Sequence, residues 1–106
     1  RAADEFITST GIRMQVQDKL LVVATVPQVS SYVLSKEVDV GFINLTDALA
    51  IEHRIGGIIL VDQKLYEPII IVAGILENAP NPEPLARFAK FLDTGEARSI
   101  ARKHGL

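Results

Sequence analysis

Leu20-Leu21-Val22-Val23-Ala24-Thr25-Val26-Pro27-Gln28, residues 20–28, carries two signals back to back. Leu20 through Ala24 form a continuous apolar run of strand length, the kind that suits a parallel strand covered on both faces. Thr25 through Gln28 then open a helix. Pro27 fits a first helical turn, where its missing N–H leaves no hydrogen bond unmade. A strand, a tight turn and a helix make one βα unit, and the fold class depends on whether that unit repeats.

It repeats in both directions. Upstream, Ala3, Phe6 and Ile7 recur at helical spacing across Ala2–Thr10, and Gly11 is a natural residue to end the helix. Downstream, Val29, Val33 and Leu34 give the next helix its apolar stripe, ending near Lys36-Glu37. Val38-Asp39-Val40-Gly41-Phe42-Ile43 reads as a second strand. Asn44 and Thr46 are cap candidates for a third helix carrying Ala48, Leu49 and Ile51. Gly56-Gly57 breaks that helix, and Ile58-Ile59-Leu60-Val61 reads as a third strand. The order α-β-α-β-α-β predicts an α/β fold, a mostly parallel sheet flanked by helices and joined by right-handed crossovers.

Pro68-Ile69-Ile70-Ile71-Val72-Ala73 reads as a fourth strand, with Pro68 at its entry. Asn78 to Pro84 is a stiff, proline-rich loop. The helix after it carries Leu85, Phe88, Ala89 and Leu92. Asp93 with Glu96 fits a capping box for a last helix that buries Ala97, Ile100 and Ala101 and stops at Gly105. There is no internal repeat and no low-complexity segment.

The bulk numbers bound the function. The chain has 106 residues, 48% hydrophobic and 23% charged, with a net charge of −2. That describes one folded domain with no basic face for nucleic acid or anionic lipid. There is no cysteine, which excludes a thiol nucleophile, a cysteine-held metal and a disulfide scaffold. The run Pro68–Leu76 is too short to span a bilayer, so direct membrane insertion is not expected. The opening Arg1-Ala2-Ala3-Asp4 has no signal-peptide pattern and reads as helix interior, as expected for a piece of something longer. His53 and His104 have no partners at metal-ligand spacing, so no protein-held cation or cofactor is expected. Asp39, Asp47, Asp62 and Glu67 make no paired-acid motif. Nucleophile-elbow, phosphate-loop and His-x-x-x-His patterns are also missing, so no enzyme is expected.

The chemistry that remains is binding. The turn at Thr25-Val26-Pro27-Gln28 follows an apolar run and opens a helix. The first backbone N–H groups of a helix lack internal partners, and the helix dipole favours an anion there. A tetrahedral oxyanion needs several directed donors of this kind. A tight βα turn with no ligand is the plainer reading of the same residues. Ser30 and Ser31, in the first turns of the helix, are expected to bond locally to backbone.

Four stretches in order resemble the molybdate/tungstate-binding family of type II periplasmic solute-binding proteins of ABC importers. They are the helix ending at Gly11, and Val26 followed by a helix and Lys36-Glu37-Val38-Asp39-Val40-Gly41-Phe42. Tyr66-Glu67-Pro68-Ile69 is the third. The fourth runs from Asn81-Pro82 through Phe88, Phe91-Leu92, Glu96-Ala97 and Ile100 to Gly105-Leu106. No single stretch is specific. The order covers nearly the whole chain and implies the second lobe and C-terminal helices (residues 1–106) of a two-lobe protein whose N-terminal lobe is absent here.

The resemblance implies a backbone N–H at Val26 on the oxyanion, with Pro27 and Gln28 completing the turn. Asn44 stands where the family's molybdate binders usually have a Tyr, and it either donates its amide or simply caps a helix. Tyr66 and Pro68 match the hinge. The implied ligand is molybdate or tungstate, the implied partner an ABC permease and the implied location the periplasm. The same fold also serves as the effector-sensing part of transcriptional regulators, which leaves that function as the alternative. Unpaired strand edges predict a homodimer for these residues alone.

Overall fold

The computed structural model describes every residue, Arg1–Leu106. Its regular structure is entirely helical. Six α-helices follow in order: α1 (Ala2–Ser9), α2 (Arg13–Val16), α3 (Val26–Leu34), α4 (Leu45–Ile51), α5 (Pro82–Leu92) and α6 (Gly95–Lys103). Short 3₁₀ turns occupy Gln17–Lys19, Glu52–Arg54 and Gln63–Leu65. No helix is long and apolar enough to cross a membrane.

The expected parallel sheet is absent. Leu20–Ala24, Val38–Ile43, Ile58–Val61 and Pro68–Ala73 are neither helical nor paired, and no backbone hydrogen bond joins any two of them. A strand exists only as part of a ladder, because its N–H and C=O groups bond to a neighbour rather than within the segment. Local composition supplied four runs of strand length, but the ladder they require is not formed. Many of their side chains are left in solvent: Val22 is 87% exposed, Ile59 92% and Val72 82%. The accessible surface is 8969 Å². A folded monomer of this mass exposes roughly 5,800 Å² by the usual scaling.

The helices, by contrast, stand where the sequence puts them. α1 ends through Gly11, whose φ of 71° is the left-handed conformation that glycine adopts without strain. α3 begins after Thr25, an extended residue, with Pro27 in its first turn. It closes with a Schellman motif. The Glu37 N–H donates to the Tyr32 carbonyl (3.0 Å) and the Lys36 N–H to the Val33 carbonyl (3.1 Å). The left-handed residue is Lys36, φ 63°, in a position that usually holds glycine. α6 ends the same way, through Gly105 and Leu106. Its cap is Thr94, whose hydroxyl accepts from the Ala97 N–H (3.2 Å). The expected Asp93–Glu96 box is not formed: the cap lies one residue later, and its N3 residue, Ala97, has no side chain to reach back.

The chain divides into two compact units, Arg1–Ile69 and Ile70–Leu106. In the first, Ile7 on α1 and Ala48 on α4 are the buried apolar residues, and α3 packs on α4. The unpaired segment 38–43 leans on α3. A Cβ built at Gly41 would lie 2.6 Å from a Val33 methyl and 2.7 Å from a Val29 methyl, so only glycine lets the backbone come this close. Next to it, the Phe42 ring meets Phe6 of α1 at 5.4 Å between centroids, tilted by 53°. Such a pair contributes about 0.5–1.5 kcal/mol beyond the area it covers.

In the second unit α5 packs with α6, and Ala97 is its buried residue. Leu85, Ala89 and Ala101 are half-buried, while Phe88, Leu92 and Ile100 are exposed. The apolar face expected of these helices is thus only partly used.

Candidate functional site

The best-organised candidate is the start of α3. Thr25 is extended (φ −136°, ψ 152°), so the chain turns sharply into the helix at Val26. The turn is held by Gln28. Its side-chain carbonyl accepts from the backbone N–H of Ala24 (3.0 Å) and of Thr25 (3.1 Å). That is the N3 half of a capping box, in which the side chain reaches back to satisfy donors ahead of the helix. Pro27 has no N–H to offer. The Thr25 side chain accepts from the Gln28 N–H, the other half of the box, so the Val26 N–H is the first-turn donor left at the positive end of the helix dipole. Val26, Pro27 and Gln28 are all exposed, which keeps the turn open to a ligand in solution.

Asn44 is the N-cap residue of α4, and its side chain makes no capping bond. Its amide is therefore not consumed by the helix it precedes. Because α3 packs on α4, the two helices that carry Val26 and Asn44 are neighbours. Tyr66 follows the 3₁₀ turn Gln63–Leu65, is half-buried, and its carbonyl accepts from the Gln63 side chain (3.3 Å). Pro68 is exposed.

The two serines of α3 behave differently. Ser31 bonds locally as expected, its hydroxyl donating to the Pro27 carbonyl (3.0 Å). The Ser30 hydroxyl is buried without a partner. Reading the sequence alone did not single out Tyr32, Ser35 and Glu37. With Gln28 and Ser31 they line a groove of about 370 Å³ along the exposed side of α3. Ser35 donates to the Glu37 carboxylate there (2.7 Å). The signal was present as polar residues at positions 28, 31, 32 and 35, the spacing of one helix face. A second hollow, of about 340 Å³, lies in the other unit and is almost wholly apolar, with Ile75, Leu76, Pro80 and Leu85 in its wall.

His53 and His104 are exposed, and no cluster of histidine and carboxylate groups is placed to hold a metal ion. Directed N–H donors at a helix start can bind, orient and release an anion, but they cannot transfer a proton or form a covalent bond.

Comparison with known proteins agrees with binding. The profile of a family described as bacterial extracellular solute-binding protein matches residues 1–106. The chain is also 28% identical over 101 residues to YvgL of Bacillus subtilis (strain 168), which carries the name of an ABC transporter substrate-binding lipoprotein. That match takes in 95% of this chain and 38% of YvgL, so the chain spans well under half of its relative's length. No solved structure matches. The chain belongs to the bacterial extracellular solute-binding proteins.

Proposed function

We propose that this chain supplies one wall of a solute-capture site for an ABC importer, and that the solute is a tetrahedral oxyanion, molybdate or tungstate. The observation that carries this reading is the first turn of α3. Gln28 satisfies the N–H groups of Ala24 and Thr25, the Thr25 side chain satisfies the Gln28 N–H, and the Val26 N–H is left as the donor at the helix start. An anion held there needs no net positive charge on the protein, and this chain has a net charge of −2. Asn44 adds a side-chain donor from the neighbouring helix in this reading. Tyr66 and Pro68 belong to the hinge of the complete protein, and the partner that receives the solute is a permease outside this chain. The protein works on the outer side of the cytoplasmic membrane, as its family does.

The reading is tested by thermal unfolding with molybdate, tungstate, sulfate and phosphate in turn. A ligand at a hundred times its dissociation constant stabilises the folded state by about 2.7 kcal/mol, which raises the melting temperature by several degrees. A rise with molybdate or tungstate alone supports the proposal and names the anion. The absence of a rise with all four removes the oxyanion and leaves a different solute.

The exposed runs support a second element of the proposal, that these 106 residues pair with a second copy. The surface excess over a folded monomer is larger than the roughly 1,600 Å² that a standard interface buries. Light scattering over a range of concentration decides this point. A constant monomer mass contradicts it.

A further inference from the structure

Almost every side-chain hydrogen bond in the chain is local, made between residues fewer than ten positions apart. The two exceptions involve the same three residues. The Glu67 backbone N–H donates to Glu5 Oε2 (2.8 Å), and Arg1 Nη2 donates to the Glu67 carboxylate. Arg1 also donates through Nε to Glu5 Oε1 (3.0 Å). Both oxygens of Glu5 are used, and Arg1 bridges two carboxylates. Side-chain exposure falls from 73% at Arg1 and 71% at Glu67 to 30% at Glu5, so Glu5 is the shielded centre of the group.

We propose that Arg1, Glu5 and Glu67 form an acid-released latch that holds the Tyr66–Glu67–Pro68 segment on the first turn of α1. The segment has no other long-range polar tie, and it connects the 3₁₀ turn packed on α1 to the exposed apolar run that follows. An ionised Glu5 accepts from the Glu67 N–H and from Arg1 at once. Protonation puts a hydrogen on one of those oxygens, removes an acceptor and removes the charge that attracts Arg1. Arg1 keeps its charge at every accessible pH, so the switch lies with the two carboxylates, and Glu5 is the one whose protonation frees the Glu67 N–H.

The Arg1 amino group also lies close enough to favour the ionised Glu5. Asp4 on α1 is paired with Arg13 of α2. Asp62 accepts from the Lys64 N–H at the start of the 3₁₀ turn, and Lys64 makes no ion pair. The backbone N–H of Glu67, and then Arg1, hold the Glu5 carboxyl below the usual glutamate range. Stability gained from a depressed carboxyl is present above its unfolded value and is lost as pH falls through its folded one. The latch is therefore closed at neutral pH and opens in acid below the ordinary glutamate range. Salt weakens the arms from Arg1 more than the bond from the Glu67 N–H. None of this depends on a solute.

Amide NMR of the labelled chain, without ligand and at low salt, tests the latch. In Glu67→Gln, where the residue's own carboxyl no longer titrates, the N–H at position 67 is expected to shift with the same midpoint as the Glu5 carboxyl carbon, and adding Glu5→Gln is expected to abolish that step. Asp4→Asn, which breaks the adjacent pair with Arg13, is expected to leave it unchanged. If Glu5→Gln does not fold, the two midpoints in Glu67→Gln decide the matter. Different midpoints, or a step at position 67 that survives Glu5→Gln, overturn the latch.

Discussion

The two units of this chain are built from the same kind of helix and are held together in different ways. In Arg1–Ile69, residues far apart in sequence meet: Phe6 with Phe42, Glu5 with Glu67, and Gly41 with two valines of α3. In Ile70–Leu106, the packing joins two consecutive helices, α5 and α6, and the long apolar stretch ahead of them stays in solvent. Helix formation alone does not produce a core. A core forms where non-local contacts bring apolar faces together, and only the first unit has several of these. The first unit should accordingly respond to substitution at its long-range contacts, and the second mainly to its caps.

The largest effect is expected at Ile7, which is 5% exposed. Ile7→Ala should cost about 2–4 kcal/mol in denaturant unfolding followed by circular dichroism. Ile100→Ala, the matching truncation in the second unit, removes a side chain that is 50% exposed. It should cost under about 1 kcal/mol. Equal costs would erase the contrast between the units.

Gly41→Ala comes next. The added methyl meets two β-branched side chains of α3 that have little freedom to move. A loss of about 1–3 kcal/mol is expected, and loss of the helical signal from α3 should accompany it. In the second unit Thr94→Ala removes the hydroxyl that accepts from the Ala97 N–H. About 1 kcal/mol should be lost there, mostly as fraying of α6.

The smallest change is a gain. Lys36 sits at φ 63° in the Schellman turn that ends α3. Lys36→Gly should stabilise the first unit by about 0.5–1 kcal/mol, because relief of left-handed strain exceeds the entropy that glycine loses. A loss at this position would mean that the Lys36 side chain makes a contribution larger than the strain.

Much of the helical layout was legible in the sequence. Pro27 marked the start of α3, Gly11 the end of α1 and Gly105 the end of α6, each through a backbone preference that acts within one turn. The cap of α6 was misplaced by one residue because Asp93 and Thr94 are both good caps, and the choice depends on which side chain reaches the Ala97 N–H. The sheet was not legible correctly. Residues 20–24, 38–43, 58–61 and 68–73 have strand composition, yet pairing is a property of two segments and cannot be read from one. At the candidate site, the turn at Val26 followed from local rules. The groove of Tyr32, Ser35 and Glu37 did not, because polar residues on a helix face ordinarily mean solvation. The Glu5–Glu67 contact crosses most of the first unit, and no local pattern announces it.

The central claim is that the first turn of α3 binds an oxyanion through a backbone donor. Calorimetric titration of molybdate, and separately of tungstate, into the unaltered chain and into Val26→Pro tests it most directly. Proline at the first helical position is tolerated by the helix and follows an extended Thr25, so the substitution removes the N–H and little else. Loss of one charge-assisted hydrogen bond of about 1.5–3 kcal/mol should weaken binding by roughly 10- to 150-fold while the circular dichroism spectrum stays the same. Equal affinity in the two proteins would contradict the claim and would place the anion elsewhere on the chain.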